Sequence, residues 1–192
     1  MRVMSVLQCA GNRQWDDFKA TGPNGFSNTV YQDLRQGMVG NVEWTGHRLD
    51  AILRDLFPKE CREEEKESAG SGRGERWHVV FQGADQYETS TPLALILDPK
   101  RDCLLATGMN GETLMRDHGY PVRALLPGIA GARNVKWVEG IRLSRTPSDK
   151  PWNAHYYRHA DGSHIQKLPL QSLIFAPNKR ATLERDKSAI VE

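Results

Sequence analysis

The stretch VMSVLQCAGNR, residues 3 to 13, decides how the chain is read. Val3, Ser5, Leu7 and Cys9 fall on one face of an extended segment, and Met4, Val6 and Gln8 fall on the other, which is the period of a strand. Apolar residues on both faces predict a largely buried strand. Cys9 closes it. Ala10, Gly11 and Asn12 then supply a tight turn, because Gly and Asn tolerate backbone angles that bulkier residues resist. By itself a cysteine at such a position is most simply a small buried hydrophobe. The rest of the sequence decides whether it is more than that.

Working outward, residues 16 to 30 read as a loop, and HRLDAILRDLF (47–57) sets Leu49, Ile52, Leu53 and Leu56 at helical spacing, with Pro58 ending the helix. The following KECREEEKESAGSGRGER mixes charges and glycines with little to bury, so residues 58–76 are expected to be a solvated, mobile surface insertion without function. WHVVFQG (77–83) returns to strand character, and TPLALILD allows a short helix or turn opened by Pro92. CLLATGMNGETLM (103–115) carries two apolar runs around Asn110-Gly111, the strongest short hairpin signal in the chain. PVRALLPG and VKWVEGIRLSR add two strands. There is no internal repeat, and the recurrent Gly, Pro and Asn breaks imply a loop-rich α+β domain.

The 192 residues suit one domain with a sizeable core. The 26 cations are nearly matched by 24 carboxylates, for a formal charge of +2, which argues against a general nucleic-acid binder and makes any anion site a local feature. No apolar run is long enough to span a bilayer. Cys9, Cys61 and Cys103 are odd in number and widely spaced, so neither a disulfide framework nor a zinc pattern is suggested, and a reducing compartment is the default. The amino-terminal residues show neither a signal peptide nor a transit segment, and the chain is expected to start late.

Two clusters farther along raise the odds for chemistry. In RDHGYPVR (116–123), His118 on a Gly-broken turn and Arg123 at a strand start can converge on one anion, where the plain alternative is a surface salt bridge with Asp117. In PGIAGARNVKW (127–137), glycines let backbone N–H groups approach a ligand while Arg133 and Lys136 add charge, where the plain alternative is a loop with ordinary surface cations.

Five blocks taken in order, LQCAGNR, GNVEWTGHRL, MNGETLMRDHGYPVR, PGIAGARNVKW and PWNAHYYRH, resemble the molybdopterin-binding domain of the sulfite oxidase and assimilatory nitrate reductase family. The resemblance runs over about residues 5–177 and implies that family's α+β fold of mixed sheets with few short helices. It further implies molybdenum held by molybdopterin, with Cys9 as the thiolate on the metal. His118, Arg123, Arg133 and Lys136 would hold the pterin and its phosphate, joined by Asn12, Asp85 and Ser90 and by backbone near Gly128 and Gly131. Tyr157, aligned through Trp152, would be the active-site tyrosine, with adjacent Tyr156 leaving the register open. Arg13 would bind or orient the substrate oxyanion through its planar donors.

The sequence also departs from the family pattern. Gln14 stands where a second arginine is usual, and Leu34 where a tryptophan is usual, so anion affinity rests on fewer cations unless Arg35 or Arg158 replaces them. The resemblance leaves the expected domain truncated at both ends, with residues 178–192 a tail in place of a dimerisation domain and no haem or flavin domain in this chain. The activity implied is oxygen-atom transfer converting sulfite to sulfate, with electrons passed to a haem protein or oxygen and a homodimer as the family norm. A nitrate reductase-like molybdoenzyme and a truncated, non-catalytic fragment of the family remain the alternatives. A zinc or thiol enzyme built on Cys9 with His118, His155 or His159 lacks the spacing of a metal site. Mitochondrial intermembrane space, peroxisome and cytosol are all represented by resemblance, and the terminal IVE is not a peroxisomal signal.

Overall fold

A computed structural model describes residues 1–13, 37–69, 76–159, 161–167 and 171–172. Gln14, Leu34, Arg35, the 16–30 loop, the glycine-rich 70–75 stretch and the 178–192 tail lie outside the described residues.

Strand β1 (Arg2–Gln8) runs antiparallel to β2 (Val39–Arg48), from Arg2 opposite Thr45 to Gln8 opposite Val39. One sheet continues from β2 to β5 (Leu104–Met109), which also pairs with β6 (Glu112–Thr113) and β7 (Arg123–Leu125). A second sheet has the order β4 (Glu88–Pro92), β3 (His78–Gly83), β8 (Val138–Ser144). All of these pairings are antiparallel. The fold is α+β, as expected.

Local chemistry accounts for the turns. Asn110 and Gly111 both take positive φ, 52° and 82°, as a two-residue hairpin demands, and they join β5 to β6 in the expected register. Gly46 sits at a bulge where β2 meets β5; a Cβ there would fall 2.1 Å from the Leu105 carbonyl oxygen, so only glycine fits.

Helix α1 (Leu49–Leu56) buries Leu49 and Leu53 completely, and α3 (Leu93–Leu97) buries Leu93 and Ile96. They share a core with Val79 and Phe81 of the second sheet. Trp44, Leu104, Ala106, Leu114 and Leu125 form a separate cluster inside the first sheet.

Two expectations change. Residues 58–69, expected to be solvated surface chain, form helix α2 (Pro58–Ala69). Pro58 ends α1 but suits the first position of the next helix, where its missing N–H costs nothing. Cys61 and Glu64, three residues apart on α2, are buried, and Glu64 Oε2 accepts the Trp77 backbone N–H at 2.9 Å. Arg145 ties the outer face down, reaching Glu63 at 2.7 Å and stacking 4.0 Å over the Trp77 ring. Strand β1, expected to be buried on both sides, is covered on one: Ser5 is buried, whereas Met4 and Val6 are 64% and 50% exposed.

Candidate molybdopterin site

Where the end of β1 meets the turn between β3 and β4, a cavity of about 440 Å³ opens. Its wall holds Cys9, Met38–Gly40 at the start of β2, Asp85 and Tyr87 from the β3–β4 turn, the 131–137 loop, and Tyr157. Segments far apart in sequence converge here because three local devices pull them together.

The first device is at the cysteine. Cys9 N–H donates to the Met38 carbonyl at 3.0 Å, and Asn12 Oδ1 accepts the Met38 N–H at 3.1 Å. Both ends of the CAGN turn therefore grip Met38, the residue just before β2. The Gly11 N–H points at Cys9 Sγ, 3.4 Å away, and the thiol forms no disulfide.

The second device is the 131–137 loop. A Cβ on Gly131 would lie 2.9 Å from the Gln8 carbonyl oxygen and 3.5 Å from Cys9 Cα, so the glycine is what lets this loop lie directly against the cysteine strand. Asn134 shapes the loop from inside: its Oδ1 accepts the Leu126 N–H at 2.6 Å, and its Nδ2 donates to the carbonyls of Ile129 and Ala130 at 3.2 and 3.0 Å. Tyr87 braces the same loop, donating its hydroxyl to the Ala132 carbonyl at 2.8 Å. Burial, with Tyr157 next in importance, pushes the Tyr87 phenol well above its ordinary pKa, so it stays a donor.

The third device is a pair of buried arginines. Arg123 is 4% exposed, donates to the carbonyls of His118 and Asn134 at 2.9 and 3.1 Å, and stacks 5.0 Å from the Trp44 ring. Arg133 is fully buried. Burial pulls both guanidinium groups down to about 10, and neither has a carboxylate partner among the described residues. A buried cation without a counterion is costly, and an anion placed near it offsets that cost.

The residues expected at the site thus divide into groups. Cys9, Asp85, Lys136 and Tyr157 line the cavity together. Lys136 donates to the Asp117 carbonyl at 3.0 Å and lies 4.1 Å from the Trp137 ring; Asp85 Oδ1 accepts the Tyr87 N–H at 3.1 Å. Asn12 and Arg13 follow Cys9 on the turn, and Arg13 donates to the Ser172 carbonyl at 2.5 Å. Asn12, Arg13, His118, Ser90, Gly128, Arg123 and Arg133 are not on the wall. His118 offers its carbonyl to Arg123; Ser90 Oγ accepts the Ser148 N–H at 3.0 Å; Gly128 is an exposed turn at φ 73°. Tyr87 and Asn134 went unnoticed in the sequence. Asn134 lay inside the quoted loop block, where an amide before a strand is a turn-shaping signal. Tyr87, a lone aromatic in a turn, gave no signal.

Residues 1–152 match the family described as the oxidoreductase molybdopterin binding domain. The chain belongs to that family. The mitochondrial sulfite oxidase of Drosophila melanogaster is 35% identical over 202 aligned positions, covering 96% of this chain and 32% of that protein. For the human mitochondrial enzyme the identity is 33%, with 98% and 34% covered. The NADH nitrate reductase of Hordeum vulgare is 35% identical, with 85% and 17% covered. The chain therefore spans about a third of the length of the sulfite oxidases it matches. In fold it is similar to the crystal structure of the sulfane dehydrogenase SoxCD from Paracoccus pantotrophus, with a TM-score of 0.63 at 24% identity, covering 93% of this chain and 41% of that one. Family membership makes this an oxidoreductase domain whose cofactor is molybdenum bound to molybdopterin. The molybdopterin-binding fold tests well against that group: a half-buried thiol on a cavity wall is a soft donor, and the two arginines without counterions suit an anionic ligand. No helix among the described residues is long and apolar enough to cross a membrane.

Proposed function

We propose that this domain serves in the oxidation of sulfite to sulfate. The observation that carries the reading is the placement of Cys9 on one cavity wall with Lys136, Asp85 and Tyr157, backed by two buried guanidinium groups. When bound, molybdopterin supplies a metal that takes up two electrons as an oxygen atom is transferred to the oxyanion. Cys9 gives that metal a soft thiolate. Lys136 and the backbone of the 131–136 loop would hold the pterin side, with Asp85 beside them. Arg133 contributes field rather than contact, since its Nε and Nη1 donors are committed to Ile165, Asn153 and Thr89, and Arg123, held off the wall by the carbonyls of His118 and Asn134, adds a second buried positive charge. Tyr157 on the wall presents a phenol to the oxyanion, and Arg13, off the wall but close by on the turn after Cys9 and held by the Ser172 carbonyl, adds a cation that helps orient it. A haem protein or oxygen would be the electron acceptor. The mitochondrial description of the relatives supports a mitochondrial location.

The test is molybdenum and pterin content of the purified chain, together with sulfite-dependent reduction of ferricyanide, for wild type and Cys9→Ser. The variant is expected to keep its fold and lose turnover to background, because a hydroxyl is a poor soft-metal ligand. Full turnover by Cys9→Ser would remove the thiol from the mechanism. Faster reduction of nitrate by a viologen donor would transfer the reading to nitrate.

A further inference from the structure

Arg133 was expected to touch the cofactor, but its surroundings give it other work. Its Nε donates to the Ile165 carbonyl at 2.9 Å, and its Nη1 donates to Asn153 Oδ1 at 2.5 Å and to Thr89 Oγ1. Its Nη2 donates to the Tyr157 carbonyl at 3.2 Å. The side chain is 0% exposed and absent from the cavity wall. Nε and Nη1 have no N–H left for a ligand, since a guanidinium carries five in total.

These acceptors come from three separate places: Thr89 on β4, Asn153 on the short helix α4 (Pro151–Ala154), and the Tyr157–Ile165 segment. The acceptors are themselves fixed. Asn153 Nδ2 donates to the Ser148 carbonyl at 2.7 Å, which turns its Oδ1 toward Arg133, and Thr89 Oγ1 lies 3.1 Å from that same Oδ1. The Tyr157 carbonyl also accepts the Ile165 N–H at 2.9 Å. Tyr157 itself sits at φ +52°, a left-handed conformation that a bulky residue holds only when its surroundings over-determine it. We propose that Arg133 is the positioning residue of Tyr157: a buried planar fork that locks the tyrosine's strained main chain to the second sheet and so fixes its side chain on the cavity wall. The inference rests on Tyr157 being a residue of the sulfite-oxidising site. A lysine keeps the charge but offers one compact donor group in place of a planar fork, and cannot reach all these acceptors at once.

The experiment compares Arg133→Lys with wild type in the full-length chain by three measurements: amide exchange of Ile165, molybdenum and pterin content, and kcat and KM for sulfite. Ile165 exchange is expected to speed up by about 10-fold or more while Val79 and Phe81 in the core keep their rates. Cofactor content is expected to hold, and kcat to fall with KM changing less than about twofold. Loss of molybdenum with Ile165 exchange unchanged would make Arg133 a cofactor ligand and overturn the proposal. Uniform acceleration across the core would equally overturn it, as the mark of a general structural role. Should Arg133→Lys not fold, Thr89→Val removes one acceptor and is expected to raise Ile165 exchange about threefold, with no local change counting against the proposal. Exchange is read without cofactor, so an inactive wild type would defeat the sulfite reading and leave this arm intact.

Discussion

Replacing Gly131 by alanine probes the contact that sets Cys9 against the cofactor loop. The added Cβ would meet the Gln8 carbonyl oxygen at 2.9 Å and its carbon at 3.3 Å, against an ordinary contact of about 3.4 Å or more. Relief requires loop and strand to part by roughly 0.5 Å. Neither yields easily. Gln8 is paired with Val39 and followed by the Cys9–Met38 bond, and the loop is closed by Arg133 N–H to Ala130 and Asn134 N–H to Gly131. Overpacking of this kind costs about 1–3 kcal/mol, offset by about 0.4–1 kcal/mol because alanine restricts the unfolded chain. The net, centred on about 1.3 kcal/mol, lowers the melting temperature of a domain this size by roughly 3–5 °C. Gly40 is the control: it lines the same cavity, and a Cβ there meets nothing within 4 Å. Gly40→Ala is expected to leave stability unchanged or slightly raised. Thermal and denaturant unfolding read both variants, and molybdenum content shows whether displacing the loop loosens the cofactor. Equal midpoints for the two alanine variants would refute the close approach.

Further expectations follow from buried groups elsewhere. Glu64→Ala should destabilise the chain by about 1–3 kcal/mol because the Trp77 N–H loses its acceptor, whereas Glu65→Ala, on an exposed pair with Arg54, should cost less than about 1 kcal/mol; urea midpoints compare them. Burial, followed by Arg158, Arg133 and His78, holds His164 at about 4, below its ordinary 6.5. The unfolded chain therefore binds the extra proton, so this contribution is complete above about pH 6.5 and is lost as the pH falls toward 4. His164→Gln should flatten that part of the stability–pH curve, and an unchanged slope would exclude His164 as its source. Lys136→Ala should lower retained molybdenum, measured by elemental analysis, with a stability change below about 1 kcal/mol.

How far the sequence carried depends on the range of the forces involved. The hairpin at Asn110-Gly111, helix α1 and strand β3 were legible because turn chemistry and hydrophobic period act over a few neighbours. Helix α2 was not, because its charges conceal one buried stripe: what decides it is Glu64 meeting Trp77, and Arg145 meeting Glu63, across the loop and sheet. At the site, the type of each residue was legible and its direction was not. Arg123, Arg133 and Lys136 look alike as cations in a glycine-rich setting, yet only Lys136 reaches the cavity wall.

The amino-acid sequence alone determined the strand that ends in Cys9, the turn behind it, the α+β class and the five ordered blocks that mark the family, since all of these are written in local pattern. Tertiary structure alone decided that Met4 and Val6 face outward, that Tyr87 and Asn134 brace the cofactor loop, and that Arg133 turns inward. A guanidinium goes where its acceptors are, and those of Arg133, at Thr89, Asn153, Tyr157 and Ile165, are brought together only when the chain has folded.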